Sequence, residues 1–268
     1  MDLARLLPES LIAQLGEAPA EVREAVRQIA SGEPTTLVRG LDGLDATLLV
    51  RGRLSAQAPA AIPYALAFAG VPSFRPATAV LLRIARTIAA IDDPPRALAG
   101  SDGSPEARAL YARVEPEVPR LVRSAVASGD PARVRLAACL GARFPMHDPE
   151  VEPPLVALLS GTNDEDERGR LLYALTRIRG ARGATPHRAA AEALEASPTD
   201  PIRFAVLLAL AEHDPPEPIF SWCANALRLA VHEDGSDPTG FGRQLTGRRA
   251  LRTLERLLAR GPSEKRSG

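Results

Sequence analysis

The chain has 268 residues, 45% of them hydrophobic and 25% charged, which is the make-up of a folded protein and excludes disorder over most of its length. Its 33 basic residues balance its 33 acidic ones, where a protein built mainly to hold duplex DNA carries a basic excess. No run approaches the roughly 18 apolar residues of a membrane span, and residues 1–15 lack the uncharged core of a signal peptide, so the reading is a cytoplasmic protein with no membrane partner.

Aromatics make up only 4% of the chain, and alternating β-branched runs are missing, so no strands are expected. Apolar residues recur three and four apart instead, as in Val80, Leu81, Ile84, Ile88 and Ile91. In chain order this spacing predicts helices near 3–14, 20–31, 35–50, 56–69, 74–91 and 104–127. Further helices are predicted near 131–143, 150–160, 165–178, 186–196, 201–212, 216–232 and 240–260. Pro116 and Pro119 should break or kink the sixth. Residues 90–105 read as a linker. The organisation is therefore helical repeats over 1–92, further repeats over 104–260 continuous with the first, and a polar, disordered tail over 261–268.

The chain also repeats itself. Val134-Arg135-Leu136-Ala137-Ala138-Cys139-Leu140 parallels Ile202-Arg203-Phe204-Ala205-Val206-Leu207-Leu208. Asp130-Pro131 and Asp200-Pro201 stand just before these runs, and Gly169-Arg170-Leu171-Leu172-Tyr173 has the same character between them. Arg135, Arg170 and Arg203 fall 35 and 33 residues apart. His147-Asp148-Pro149 and His213-Asp214-Pro215 echo each other at the start of the following helices. A period of this size suits one helix–turn–helix unit, and a lone pair of helices must stack on neighbours to bury its apolar face.

The run at 130–140 resembles the second helix of a HEAT repeat. The match is good again at 200–210 and partial at 165–178. Pro59-Ala60-Ala61-Ile62-Pro63-Tyr64-Ala65-Leu66, followed by Leu81-Leu82-Arg83-Ile84-Ala85, resembles the opening of a group of bacterial HEAT-repeat proteins of unassigned function. This resemblance implies an all-α, armadillo-like superhelix: a HEAT-like solenoid of stacked antiparallel helix pairs. It also implies a scaffold that binds protein, as adaptor, regulator or neutraliser of a toxin partner.

Residue chemistry points away from catalysis. The single lysine, Lys265, stands near the end of the chain, so there is no Gly-Lys-Ser/Thr phosphate loop and no lysine to form a Schiff base in a core. No Gly-x-Ser-x-Gly, His-Glu-x-x-His or Cys-x-x-Cys spacing occurs, and neither a cofactor nor a metal is expected. Cys139 and Cys223 sit in apolar runs and read as buried free thiols. The acidic run 164–167 reads as a helix start, where negative charge is favoured. The His-Asp pairs read as helix punctuation, and His187 and His232 stand alone.

Two features remain as partner contacts. Trp222 is the only tryptophan, with Phe220 beside it. In the last predicted helix, Arg249, Arg252, Arg256 and Arg260 form a stripe, with Arg243 and Arg248 close by. The apolar face is assigned to Phe241, Leu245, Leu251, Leu254 and Leu258. The stripe reads first as the solvated face of a capping helix and second as a phosphate contact. A protein partner is therefore expected. The alternatives are a nucleic-acid binder resembling HEAT-like alkylpurine DNA glycosylases and, with nothing specific in its favour, a bilin-lyase-like activity.

Overall fold

The computed structural model describes residues 3–51, 53–89, 91, 105–144, 148–181, 185–195, 201–213, 215–230 and 247–262. Among these residues the chain is helical, apart from a two-stranded ribbon, and no helix is long and apolar enough to cross a membrane. It divides into two compact units, Met1–Leu140 and Gly141–Gly268.

The first unit opens with a 3-10 turn, Leu3–Arg5, and then α1, Glu9–Leu15. Pro8 separates the two, so the single helix expected over 3–14 is interrupted where the ring removes a donor. Helix α2, Ala20–Ser31, and α3, Pro34–Leu48, follow. They form an antiparallel hairpin in close contact. Gly40 faces Ile29 and Gly43 faces Ala25, so the numbering runs in opposite directions. A Cβ at Gly40 would stand 2.7 Å from the Ile29 nitrogen, and only glycine permits that approach.

After α3 comes the exception to the all-helix expectation. β1, Leu49–Val50, pairs antiparallel with β2, Arg53–Leu54, across a turn in which Arg51 takes φ 52°. Leu49-Val50 and Arg53-Leu54, on either side of Arg51-Gly52, are too brief to register as alternation. Helix α4, Ala58–Ala69, is buried all round from Tyr64 to Ala69 and is the centre of the unit. It packs on α3, α5 (Ala77–Ala89) and α6 (Pro105–Val114). The helix expected over 104–127 breaks where Pro116 predicts, at a 3-10 turn, Glu115–Glu117. Beyond that turn run α7, Val118–Ser128, and α8, Pro131–Gly141.

The joints of this unit repeat. Ser31-Gly32-Glu33-Pro34 and Ser128-Gly129-Asp130-Pro131 lie 97 residues apart, each between two helices. In both, the serine hydroxyl donates to the carbonyl three residues back, at 2.8 Å and 2.6 Å. It also accepts from the amide two residues on, at 3.3 Å and 3.2 Å. The glycine takes φ 69° or 67°, which turns the chain out of the helix, and the proline begins the next one.

The second unit contains α9 (Asp148–Gly161), α10 (Glu165–Ala181), α11 (Arg188–Leu194), α12 (Pro201–Ala211), α13 (Ile219–Ala230) and α14 (Gly247–Arg260). Helices α10 and α12 form its centre. Residues 171–178 of one and 205–211 of the other are buried on every side. Gly169 lies against Ala205 near both starts, and Gly180 against His213 near both ends, so the two run side by side in the same direction. Helix α10 also packs on α9 and α11, and α12 on α11, α13 and α14. As the acidic run predicts, Asp164 caps α10, its Oδ1 accepting from the Glu167 amide at 2.7 Å. His187, which spacing left isolated, caps α11 through Nδ1, accepting from the Ala189 amide at 3.2 Å. Of the linker expected over 90–105, residues 90 and 92–104 lie outside the described residues, as do the tail beyond 262, His147, Asp214 and His232.

Candidate interaction surface

The arginines fall into two groups. The first is internal. Arg133 of α8 is 2% exposed and donates to the carbonyls of Ala69, Val71 and Pro72 at 2.6, 3.0 and 3.0 Å, and to the Ser124 hydroxyl at 2.9 Å. Arg120 of α7 donates to the Leu66 carbonyl at 3.0 Å. Both guanidinium groups therefore grip the carbonyl end of α4, where a helix concentrates negative potential. Arg83 of α5 reaches back to the Leu41 carbonyl of α3 at 2.8 Å and to Asp45 at 3.4 Å. In the second unit Arg177 pairs with Glu212, which also accepts from the Tyr173 hydroxyl at 2.7 Å. These residues tie α10 to the end of α12.

Asp130 anchors the start of α8. Its Oδ1 accepts from the Ala132 amide at 3.0 Å and its Oδ2 from the Thr78 hydroxyl at 2.8 Å. The Thr78 hydrogen bond, helped by those backbone amides and by Arg133, holds its carboxyl below the usual carboxylate range. Burial draws the Arg133 guanidinium down from its ordinary value. Cys139 and Cys223 are buried free thiols. Burial pushes Cys223 up to about 12, and its thiol donates to the Leu207 carbonyl at 3.2 Å, so no thiolate is available for attack. Among the described residues no group of three or more His, Cys, Asp or Glu side chains is placed to hold a metal.

The second group is the repeated one. Arg135, Arg170 and Arg203, the repeated ones, are each half-buried. Arg203 of α12 stands over the indole of Trp222 on α13, 5.7 Å from the ring centre. Trp222 is thus half-buried beneath a cation, with Phe220 also half-buried. Leu229, seven residues on along α13, is 63% exposed.

Helix α14 departs from its expected orientation. Its inward face is Thr253, Leu254 and Leu257, while Leu251 and Leu258, expected to face inward with Leu254, are 42% and 47% exposed. Three- and four-residue spacing fits either a stripe through 251, 254 and 258 or one through 253, 254 and 257, and packing on α12 and α13 selects the second. Arg256 is half-buried and Arg260 exposed. Arg249 and Arg252 belong to α14, but their side chains lie outside the described residues, as do Phe241, Arg243 and Leu245. The structure thus brings Arg203 and Trp222 together at the α12–α13 junction. It sets Arg256 and Arg260 on a helix that packs against both of those elements. Sequence reasoning missed the internal arginines. No sequence signal set them apart, because the half-buried Arg135 and Arg203 also stand in apolar runs.

Searches against protein-family models, curated proteins and solved structures return no match to this chain.

Proposed function

We propose that the chain is a non-enzymatic HEAT-like repeat protein that works by binding a partner protein, as an adaptor, a regulator or the neutraliser of a toxin. The observation that carries this reading is the recurrence of one construction. The Ser-Gly-acid-Pro joint appears twice with the same hydrogen bonds, 97 residues apart, close to three of the 33- and 35-residue periods in the arginine spacing. The antiparallel pairing of α2 with α3 and the parallel stacking of α10 on α12 are what successive helix pairs of a solenoid produce. Such stacks offer long surfaces to a partner. Arg133 and Tyr173 each use a buried polar group to hold one helix to another, which supports a structural role for them over a chemical one. Two buried free thiols suit a reducing compartment, so we assign the protein to the cytoplasm.

The basic character of α14 favours a second reading, a nucleic-acid binder like the HEAT-like alkylpurine DNA glycosylases. A titration of labelled short duplex and single-stranded DNA, read by fluorescence anisotropy, separates the two. Protein binding predicts no saturable DNA binding at either about 50 or about 200 mM salt. Saturable binding that falls by a factor of ten or more between those conditions transfers the function to nucleic acid.

A further inference from the structure

Helix α13 turns an apolar stripe away from the unit it belongs to. Cys223, Ala224 and Leu227 are buried and form its inward side. On the opposite side Pro218, Trp222, Asn225 and Leu229 follow at intervals of four, three and four residues, the spacing of a seam that meets another helix. The Pro218 carbonyl accepts from the Trp222 amide at 3.2 Å, so Pro218 belongs to the first turn of this helix. Pro218 and Asn225 are exposed, Trp222 is half-buried and Leu229 is 63% exposed. One edge of the stripe carries two opposite charges. The Ser221 hydroxyl donates to Glu217 Oε1 at 3.0 Å, which sets the exposed Glu217 carboxylate beside Ser221. Arg228 stands seven residues beyond Ser221, about two turns along the same edge. It is exposed, and its Nη1 lies 3.5 Å from Asn225 Oδ1. The edge is thus negative at one end and positive at the other, about 10 Å apart.

We propose that two copies of the chain pair through this face of α13, with the two helices antiparallel about a two-fold axis that passes midway between the levels of Trp222 and Asn225. The charge pattern selects a second copy over other occupants. An antiparallel two-fold brings the same edge of both helices together and reverses its direction, so Glu217 meets Arg228 of the partner subunit, and the symmetry makes this contact twice. A uniformly acidic partner would meet Glu217 and a uniformly basic one Arg228, while nucleic acid would meet a carboxylate beside an apolar stripe. In the same arrangement Leu229 lies over Pro218 of the partner subunit and Trp222 over Asn225 of the partner subunit, because the members of each pair are equally far from the axis. Trp222 is the type of rigid aromatic that anchors interfaces, and Asn225, a polar residue in an apolar seam, costs stability and fixes the register. A single helix pair buries less than the roughly 1,200–2,000 Å² of a stable interface, so the dimer is weak, with a Kd on the order of 10–100 µM. The pairing concerns a second copy of the chain and stands independently of the partner-protein reading.

Sedimentation equilibrium of the full chain from about 1 to about 300 µM should show a monomer giving way to a dimer and to nothing larger. Trp222 is the only tryptophan, so its emission reports the interface itself and should shift to the blue over the same range as water leaves the ring. Leu229→Ser, at an exposed position, should weaken pairing about tenfold or more. The charges test the geometry. Glu217→Arg and Arg228→Glu each set like charges opposite one another, and each variant alone should self-associate about fivefold or more weakly at low salt. Mixed together, the two variants restore both opposite-charge contacts and should pair as well as the parent chain, which a local effect on folding would not produce. Thermal melts of each variant check folding, and Leu229→Gln replaces Leu229→Ser if that variant melts early. The proposal is overturned if the chain stays monomeric throughout or grows beyond a dimer, or if the leucine variant pairs as the parent does. It is also overturned if either charge variant self-associates undiminished, or if their mixture pairs as weakly as its components.

Discussion

At the scale of single residues, a few buried arginines tie helices together within an apolar core. Arg133 satisfies three backbone carbonyls and a hydroxyl at once. A lysine offers a point charge and cannot fork across carbonyls in this way. Asp130 beside it is the residue whose charge can be tested. Its carboxyl titrates below an unfolded value of about 3.9, so its contribution to stability is fully present above that pH and is lost as the pH falls through the lower, folded value. Asp130→Asn keeps a capping oxygen and removes the charge. Denaturant melts at neutral pH should show the variant less stable by about 1 kcal/mol, the scale of one charge-assisted hydrogen bond. The difference should hold down to pH ~5 and close below pH ~4. A difference that persists undiminished at pH ~3 would show that the charge contributes nothing. The capping role of Asp130 was legible as an aspartate set before a proline at a helix start, and the role of Arg133 was not. An internal arginine and a half-buried one look alike in sequence, and only the position of the α4 carbonyls separates Arg133 from Arg135.

At the scale of elements, helix existence was readable and helix faces were less so. The stripes fixed α2, α4, α5, α10 and α12 to within a few residues, because apolar periodicity states directly that one side of a segment is buried. The ribbon at 49–54 escaped because two residues per strand leave no period to detect. The face of α14 escaped because leucines surround more than one side of that helix, and the choice is made by the helices it meets. Glycine gives a sharper test of helix contact. Gly40→Ala would drive a methyl group into the Ile29 backbone and force α2 from α3, so it should cost about 1–3 kcal/mol despite the better helix propensity of alanine. At Gly169 the nearest atom to an added Cβ is that of Ala205, 3.9 Å away. Gly169→Ala should therefore gain up to about 1 kcal/mol. Thermal melts of the two variants should move in opposite directions. A Gly40→Ala variant that melts no lower than the parent would mean that the α2–α3 contact is not as close as described.

At the scale of the whole chain, repetition is the property from which function is argued. The arginine spacing was visible in the second half of the sequence. The Ser-Gly-acid-Pro joint at 31–34, which extends the same construction to the first half, stands in plain view but gains meaning only through its hydrogen bonds. Function is proposed only as a class. Repeats bear on how a chain folds, whereas any surface for a partner depends on side chains such as Trp222 and Arg260, whose exposure is set by neighbouring helices. We propose that the chain works by binding a protein. The full chain, immobilised and exposed to native lysate, should retain one protein in stoichiometric amount, identified by mass spectrometry, and hold it when the salt is raised to about 200 mM. Retention of nucleic acid alone, released over that same rise in salt, would contradict the account.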